Sequence, residues 1–149
     1  MTLSLVLRFL HVLAAALWFG SALFWPGALR RAVAAGTLAP APAPALAQAR
    51  SAAGLDLWAG LATVATGTVY MSPAGGVPFR MGLGLGLGLA LVRIVLLLAL
   101  VRPALRRITA ASGAGDLGAA RAAAKVLPAY AGTAHLLWLL ALACMVFPV

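Results

Sequence analysis

The sequence predicts an all-α integral membrane protein, a four-helix transmembrane bundle in which residues 1–149 form a single domain. Of the 149 residues, 64% are hydrophobic and only 9% are charged. A soluble domain usually has about a quarter of its residues charged, so this composition favours lipid as the solvent. Hydropathy windows of about 19 residues predict four spans, at about residues 3–25, 51–71, 81–101 and 126–147.

The first predicted span carries Arg8 and His11 on an otherwise apolar helix. Its apolar run of ~16 residues after Arg8 is at the long end for a signal peptide, and no basic region precedes it. We therefore expect this segment to be retained as a membrane span rather than cleaved.

The distribution of basic residues between the spans predicts the orientation of the chain. Three arginines lie in loop 26–50 and five basic residues in loop 102–125, whereas the short middle loop carries only Arg80. Because Lys and Arg stay on the cytoplasmic side, both long loops are expected inside and both termini outside. The expected location is a bacterial-type inner membrane.

The two long loops contain further signals. The alternating Ala-Pro of LAPAPAPALAQAR favours an extended polyproline-II spacer, and Asp116 is suited to cap a short helix. PGALRRAVAAG follows span one and PALRRITAASG follows span three, which indicates two parallel helical hairpins. The alternative is that proline with two arginines simply marks a cytoplasmic exit.

The third span contains MGLGLGLGLALVR, which must be helical because a lone strand leaves its backbone unpaired in lipid. On a helix, Gly82/Gly86 and Gly84/Gly88 form two GxxxG pairs on nearly opposite sides. The span is therefore expected to pack closely on two sides, either within the chain or in a homo-oligomer through the Gly82–Gly88 face. The dinucleotide-binding pattern fails because residue 87 is leucine.

Asp56 and Arg93 are the charged pair expected within the membrane. A charge near mid-bilayer costs at least ~2.5 kcal/mol and usually has a partner. Asp56 is the only acid in a predicted span, so the two are expected to meet across neighbouring helices. The pair either fixes helix register or takes part in substrate or proton handling.

The two histidines, His11 and His135, are expected within about one helical turn of each other in depth. With Arg8 and Arg80 toward the outer surface, they would suit a haem b held by two axial imidazoles, with its propionates near the arginines. The alternative is that both histidines are hydrogen-bonded packing residues without a ligand.

Sulfur ligands form a second group at the predicted outer ends of the spans. They are Met1, Met71, Met81, Cys144 and Met145. Together with His11, thioether and thiolate groups are the set that selects Cu(I). The alternative is that methionine is ordinary apolar packing.

The stretch LRFLHVLAAALWFGSALFWPGALRR resembles the first span of the copper-resistance protein D superfamily, which includes the HemJ-type protoporphyrinogen oxidases. The shared features are a Leu-His near the start, a following Trp-Phe-Gly, and a proline with a basic exit. The resemblance implies a four-helix bundle in the inner membrane and makes His11 a candidate copper or haem ligand. The oxidases pair this histidine with a lysine of the third span, where this chain has only Arg80 and Arg93.

Three functions therefore remain: copper handling through His11, a haem-binding or haem-pathway redox protein, and an accessory membrane protein without a cofactor. The lipid bilayer is the expected partner. The net charge of +9 does not indicate nucleic-acid binding, because the cations lie mostly at helix ends. No nucleophile–base pair, carboxylate pair or phosphate loop suggests hydrolysis.

Overall fold

The computed structural model describes residues 3–36, 44–72 and 80–147, and the described chain is almost entirely helical, without a β-strand. The helices, in chain order, are α1 (Leu3–Ser21), α2 (Trp25–Ala34), α3 (Pro44–Tyr70), α4 (Met81–Leu96), α5 (Arg102–Gly113), α6 (Leu117–Ala124) and α7 (Val126–Val146). A π-helical turn, Leu97–Val101, joins α4 to α5. The all-α prediction is confirmed.

Three helical stretches of the described chain are long and apolar enough to cross a membrane: Leu3–Ala34, Met81–Gly113 and Leu117–Val146. The predicted second span lies in α3, which has 27 residues and so extends about 40 Å. This helix is not among the three, because Asp56 and its threonines and glycines interrupt the apolar run. Large side chains such as Phe9, Trp58 and Leu136 point outward, as expected of a surface that faces lipid.

The segments predicted as long loops are mainly helical. The extended spacer predicted for residues 38–50 is wrong from Pro44 onward, where α3 begins; residues 37–43 lie outside the described chain. Pro44 occupies a first helical position, where its missing N–H is not needed. The alanine-rich turn that follows has high helix propensity, and it buries Leu46 and Ala49.

The largest hydrophobic cluster lies where the helices formed by these segments pack together. It joins Trp25 and Leu29 of α2 to Ala49 of α3, Ile108 of α5 and Leu127 of α7. A break at residues 22–24 ends α1 and turns the chain into α2. The basic, amphipathic segments therefore extend the helical core rather than trail from it.

The π turn at Leu97–Val101 has a cause in the sequence. Pro103 has no N–H, and inside a regular helix its ring would collide with the carbonyl of residue 99. A wider turn before the proline relieves this collision and lets the helix continue from Met81 to Gly113.

Pairs of contacting residues give the directions of the helices. His11 contacts Thr63 while Ser21 contacts Asp56, so α1 and α3 are antiparallel and pack extensively. The indole of Trp138 in α7 donates to the carbonyl of Ala15 in α1. Helix α4 packs mainly on α7.

The two glycine faces of α4 differ in their contacts within the described chain. A Cβ at Gly86 would lie 2.9 Å from Cε of Met145 and 3.3 Å from the carbonyl oxygen of Ala141, whereas one at Gly88 would meet nothing within 4 Å. The Gly86 side therefore admits α7. Packing of a second copy against the Gly88 side stays a prediction.

Candidate functional site

A buried polar centre joins three helices and the end of a fourth. Asp56 of α3 and Arg93 of α4 form an ion pair with Oδ1 2.8 Å from Nη2, and their side chains are 0% and 1% exposed. Tyr130 of α7 donates a short hydrogen bond to Oδ2 of Asp56. Ser21, the last residue of α1, lies with Oγ 3.2 Å from Oδ1 of Asp56. The ion pair that the sequence suggested is thus the core of a larger network.

Arg93 is the residue that ties this network to α1. Its Nη2 also donates to the carbonyl oxygen of Trp18 at 2.8 Å, and its guanidinium carbon lies 4.4 Å from the centre of the Trp18 indole. A cation over the face of an indole is attracted by the ring quadrupole. Nε and Nη1 of Arg93 are buried without a hydrogen-bond partner among the described residues.

Gly60 makes the approach of α3 to Trp18 possible. A Cβ on residue 60 would lie 2.8 Å from Cε2 of the indole and 2.9 Å from Cζ2 and Nε1. Without a side chain at this position, the indole of Trp18 sits directly against the α3 backbone. Asp56, one turn earlier on α3, is thereby held beside the carbonyl of Trp18.

Tyr130 and Ser21 are the members of the centre that sequence reasoning missed. A buried tyrosine hydroxyl usually has a hydrogen-bond partner, and Tyr130 stands in the small-residue stretch AYAGTA. This signal predicts a polar partner on a helix that packs against α7. It does not identify Asp56 as that partner, because the residue that faces Tyr130 depends on the rotation of each helix.

His11 lies on the face of α1 that packs against α3. Its Nδ1 is 3.1 Å from the carbonyl oxygen of Thr63 and 3.1 Å from Oγ1 of Thr66. Because a carbonyl only accepts, this contact assigns the proton to Nδ1 and leaves the lone pair on Nε2. The ring lies over Gly67, where a Cβ would come within 3.0 Å of Cε1.

His135 is fixed in the same manner on α7. Its Nδ1 lies 2.6 Å from the carbonyl oxygen of Ala131, and its ring meets Phe19 edge-on at 5.3 Å between centroids. Nε2 is buried and has no hydrogen-bond partner in the described chain. The two histidines therefore share a tautomer that presents Nε2.

The structure does not bring the two imidazoles together. His135 contacts Phe19, which follows His11 by eight residues on α1 (19 − 11 = 8), or about 12 Å at helical rise. The difference in depth is thus about two turns, where the sequence count gave about one. That count measured depth from the ends of the predicted spans, and those ends do not coincide with the ends of the helices.

The arginines expected near haem propionates lie near the ends of helices, away from the depth of His135. Arg8 is exposed one turn before His11 on α1, and Arg80 is exposed at the residue before α4. Both are therefore on the side of the molecule where α1 and α4 begin. Neither lies at the level of His135.

The sulfur-bearing residues lie toward the ends of helices on this side. Because Ala15 lies against Trp138 and α1 and α7 are antiparallel, His11 is level with about residue 142, at a depth similar to that of Cys144 and Met145.

Met71, the residue after α3, is half-buried and follows by one turn the Gly67 that lies under His11. Met81, at the start of α4, is exposed, and Met1 lies outside the described residues. In the described chain, no three side chains among His, Cys, Asp and Glu form a metal-binding group.

Comparisons of this chain with known protein families, with curated proteins and with solved structures find no match. The features of this chain that bear on function are a membrane-type helical fold, a buried Asp–Arg–Tyr centre, and two histidines whose Nδ1 atoms bind carbonyls.

Proposed function

We propose that this chain is a four-span membrane protein of the copper-resistance protein D type that handles copper, with His11 as the central ligand. The observation that carries the proposal is the bond from Nδ1 of His11 to the carbonyl of Thr63. Metal-binding histidines usually donate their second ring nitrogen to a carbonyl or carboxylate, which orients the ring and raises the basicity of the ligating nitrogen.

The soft donors at the depth of His11 support Cu(I) over harder metals. Cys144 is close to the level of His11, and Met71 follows one turn after Gly67, whereas the side chain of Met145 packs against Gly86 of α4. Thiolate, thioether and imidazole groups together favour Cu(I). A methionine side chain has three rotatable bonds, so Met71 can adjust toward an ion without movement of the helices.

In the proposed topology α1, α3, α4 and α7 cross a bacterial inner membrane, with segments 26–50 and 102–125 in the cytoplasm and both termini outside. The antiparallel packing of α1 with α3 and α7 supports this arrangement. The basic residues add support because eight of them lie in the two segments assigned to the cytoplasm, three in the first and five in the second. His11 then lies in the half of α1 that is nearer the outer side.

Replacement of His11 provides the direct test of copper handling. We expect the purified protein to bind Cu(I) in detergent, and His11→Ala to weaken binding by at least tenfold, because even the loss of a supporting partner costs 10–100-fold at such sites. Competition with a Cu(I) chelator measures the change. His135→Ala, which removes the other imidazole, serves as the matched control and should bind like wild type.

A second variant tests whether the position of the His11 imidazole matters as well as its presence. Gly67→Ala keeps the imidazole but pushes against Cε1, so Cu(I) affinity should fall while the protein still folds. Copper binding that is equal in wild type, His11→Ala and Gly67→Ala contradicts the proposal.

A b-type haem is the second candidate, and the buried, unpartnered Nε2 of His135 favours it. If bound, haem would supply redox chemistry, and Nε2 of His135 would be the nitrogen available to hold it. The visible spectrum distinguishes the candidates: a Soret band lost in His135→Ala supports haem. Protein that retains neither cofactor, and takes up neither on titration, favours an accessory role.

A further inference from the structure

A cleft of about 320 Å³ lies where α2, α6 and the start of α7 meet. Three cations line it: Arg30 of α2, Arg121 of α6 and Lys125, which stands between α6 and α7. The remaining wall is small or apolar and includes Val33 and Pro128. The cleft is far along α7 from the level of His11, so it is separate from the proposed copper ligands.

The charges around this cleft are not balanced by the protein. The sequence has only two acidic side chains. Asp56 is buried in its ion pair with Arg93, and Asp116 caps α6 by accepting from the backbone N–H of Ala119. Three like charges therefore converge on one opening without a counter-charge, an arrangement that attracts an anion.

One of the cations that line the cleft, Arg121, is already held in place by a hydrogen bond. Nη2 of Arg121 donates to the carbonyl oxygen of Ala34 at 3.0 Å, which connects α6 to α2 and holds the guanidinium beside the opening. A guanidinium has five N–H donors. With one used by Ala34, the others suit the oxygens of a phosphate, which arginine binds in a forked geometry.

The position of the cleft favours a lipid as the source of this phosphate. It adjoins the beginning of α7, within one of the three apolar helical stretches, at the end where the basic residues concentrate. On the cytoplasmic side, anionic headgroups are abundant, and basic pockets between membrane helices bind them. We infer that this cleft binds the phosphate of an anionic phospholipid headgroup, independently of any copper site.

Lipid titration of the purified, delipidated full-length protein tests the inference. Phosphatidylglycerol should raise the melting temperature and bind with a stoichiometry of one by native mass spectrometry, whereas phosphatidylcholine should do neither. Lys125→Gln should weaken binding of phosphatidylglycerol roughly fivefold, the typical contribution of one basic residue near an anionic surface. Arg121→Gln should weaken it further, because it also removes the bond to Ala34.

The control is Arg107→Gln, which removes one charge from the exposed surface of α5 without lining the cleft. It should bind phosphatidylglycerol like wild type. Equal weakening in Arg107→Gln and Lys125→Gln overturns the inference in favour of general surface charge. Inorganic phosphate that protects as well as phosphatidylglycerol and displaces it overturns the assignment to a lipid. The melting temperature of each variant without lipid checks that it is folded.

Discussion

Asp56→Ala is expected to be among the most damaging single substitutions in this chain, with a loss of about 3–5 kcal/mol in the free energy of unfolding. The substitution leaves Arg93 buried with no acid beside it, and a guanidinium cannot discard its proton. The hydroxyl of Tyr130 would at the same time lose its acceptor, whereas that of Ser21 would keep the carbonyl of Trp18. Thermal or denaturant unfolding in detergent measures the effect.

The double variant gives the sharper result. Asp56→Ala combined with Arg93→Leu removes both charges, and replacement of a buried ion pair by apolar groups is often neutral or stabilising. We therefore expect the double variant to recover most of the stability that Asp56→Ala loses. A double variant that is as unstable as the sum of the two single variants contradicts a structural ion pair.

The two single variants should also differ in how much stability they lose. Arg93→Leu leaves the Asp56 carboxyl group with two hydrogen-bond donors, the hydroxyls of Tyr130 and Ser21. It should therefore be less damaging than Asp56→Ala. Asp116→Ala, which removes the only other acidic side chain, is the matched control and loses no more than one exposed helix cap.

The same variants test whether the Asp56–Arg93 pair takes part in copper handling. If the pair only holds the helices, the stable double variant should bind Cu(I) like wild type, because His11 contacts Thr63 and Thr66 rather than this centre. A folded double variant without copper binding or transport would assign the pair to substrate or proton handling instead.

The ion pair was predictable because the chain offers Arg93 only one acid within the predicted spans. Its partners were not. Hydropathy locates a helix along the chain but does not give its rotation, and rotation decides that Tyr130 and Ser21 face Asp56. The orphaned nitrogens of Arg93 also depend on packing that no sequence pattern specifies.

The relative depth of His11 and His135 shows a different limit. Counting residues from the end of an apolar segment assumes that the segment and the helix end together. In this chain α1 ends at Ser21, within the first predicted span, while helical structure continues far beyond the predicted end of the third span. An error of a few residues at each end shifts a deduced depth by several ångströms.

The segments predicted as loops show why composition misled. Proline and arginine at 26–50 and 102–125 indicate a helix exit, but proline is also tolerated in the first turn of a new helix. The apolar positions of these segments, such as Leu29 and Ile108, recur at helical spacing and are fully buried. That periodicity was the available signal for helices outside the membrane spans.

Gly60→Ala is expected to lower the free energy of unfolding by about 1–3 kcal/mol, the usual effect of overpacking a well-filled core. The added methyl group would lie 2.8 Å from Cε2 of Trp18, closer than atoms in proteins pack. The indole is rigid and buried, and Arg93 stands over it, so relief requires α1 and α3 to separate. That movement would also lengthen the bond from Arg93 to the carbonyl of Trp18.

Two other glycines calibrate this prediction by thermal unfolding of the matched variants. Gly54→Ala on the same helix meets nothing within 4 Å and should be neutral or stabilising, because alanine is the better helix former. Gly86→Ala meets the flexible end of Met145 as well as a backbone carbonyl, so its effect should fall between the other two. Similar melting temperatures for Gly54→Ala and Gly60→Ala would contradict the close packing of Trp18 on α3.

A compensating substitution ties the effect to the indole itself. Trp18→Leu has no atoms at the positions of the indole Cε2, Cζ2 and Nε1, which the new methyl group would meet. Gly60→Ala should therefore cost less in the Trp18→Leu protein than in wild type, and the non-additivity measures the contact directly. Equal losses in both backgrounds would mean that Gly60 is required for some other reason. A reduced loss would show that the absence of a side chain at residue 60 is what seats Trp18 beneath Arg93 and thereby positions Arg93 for Asp56.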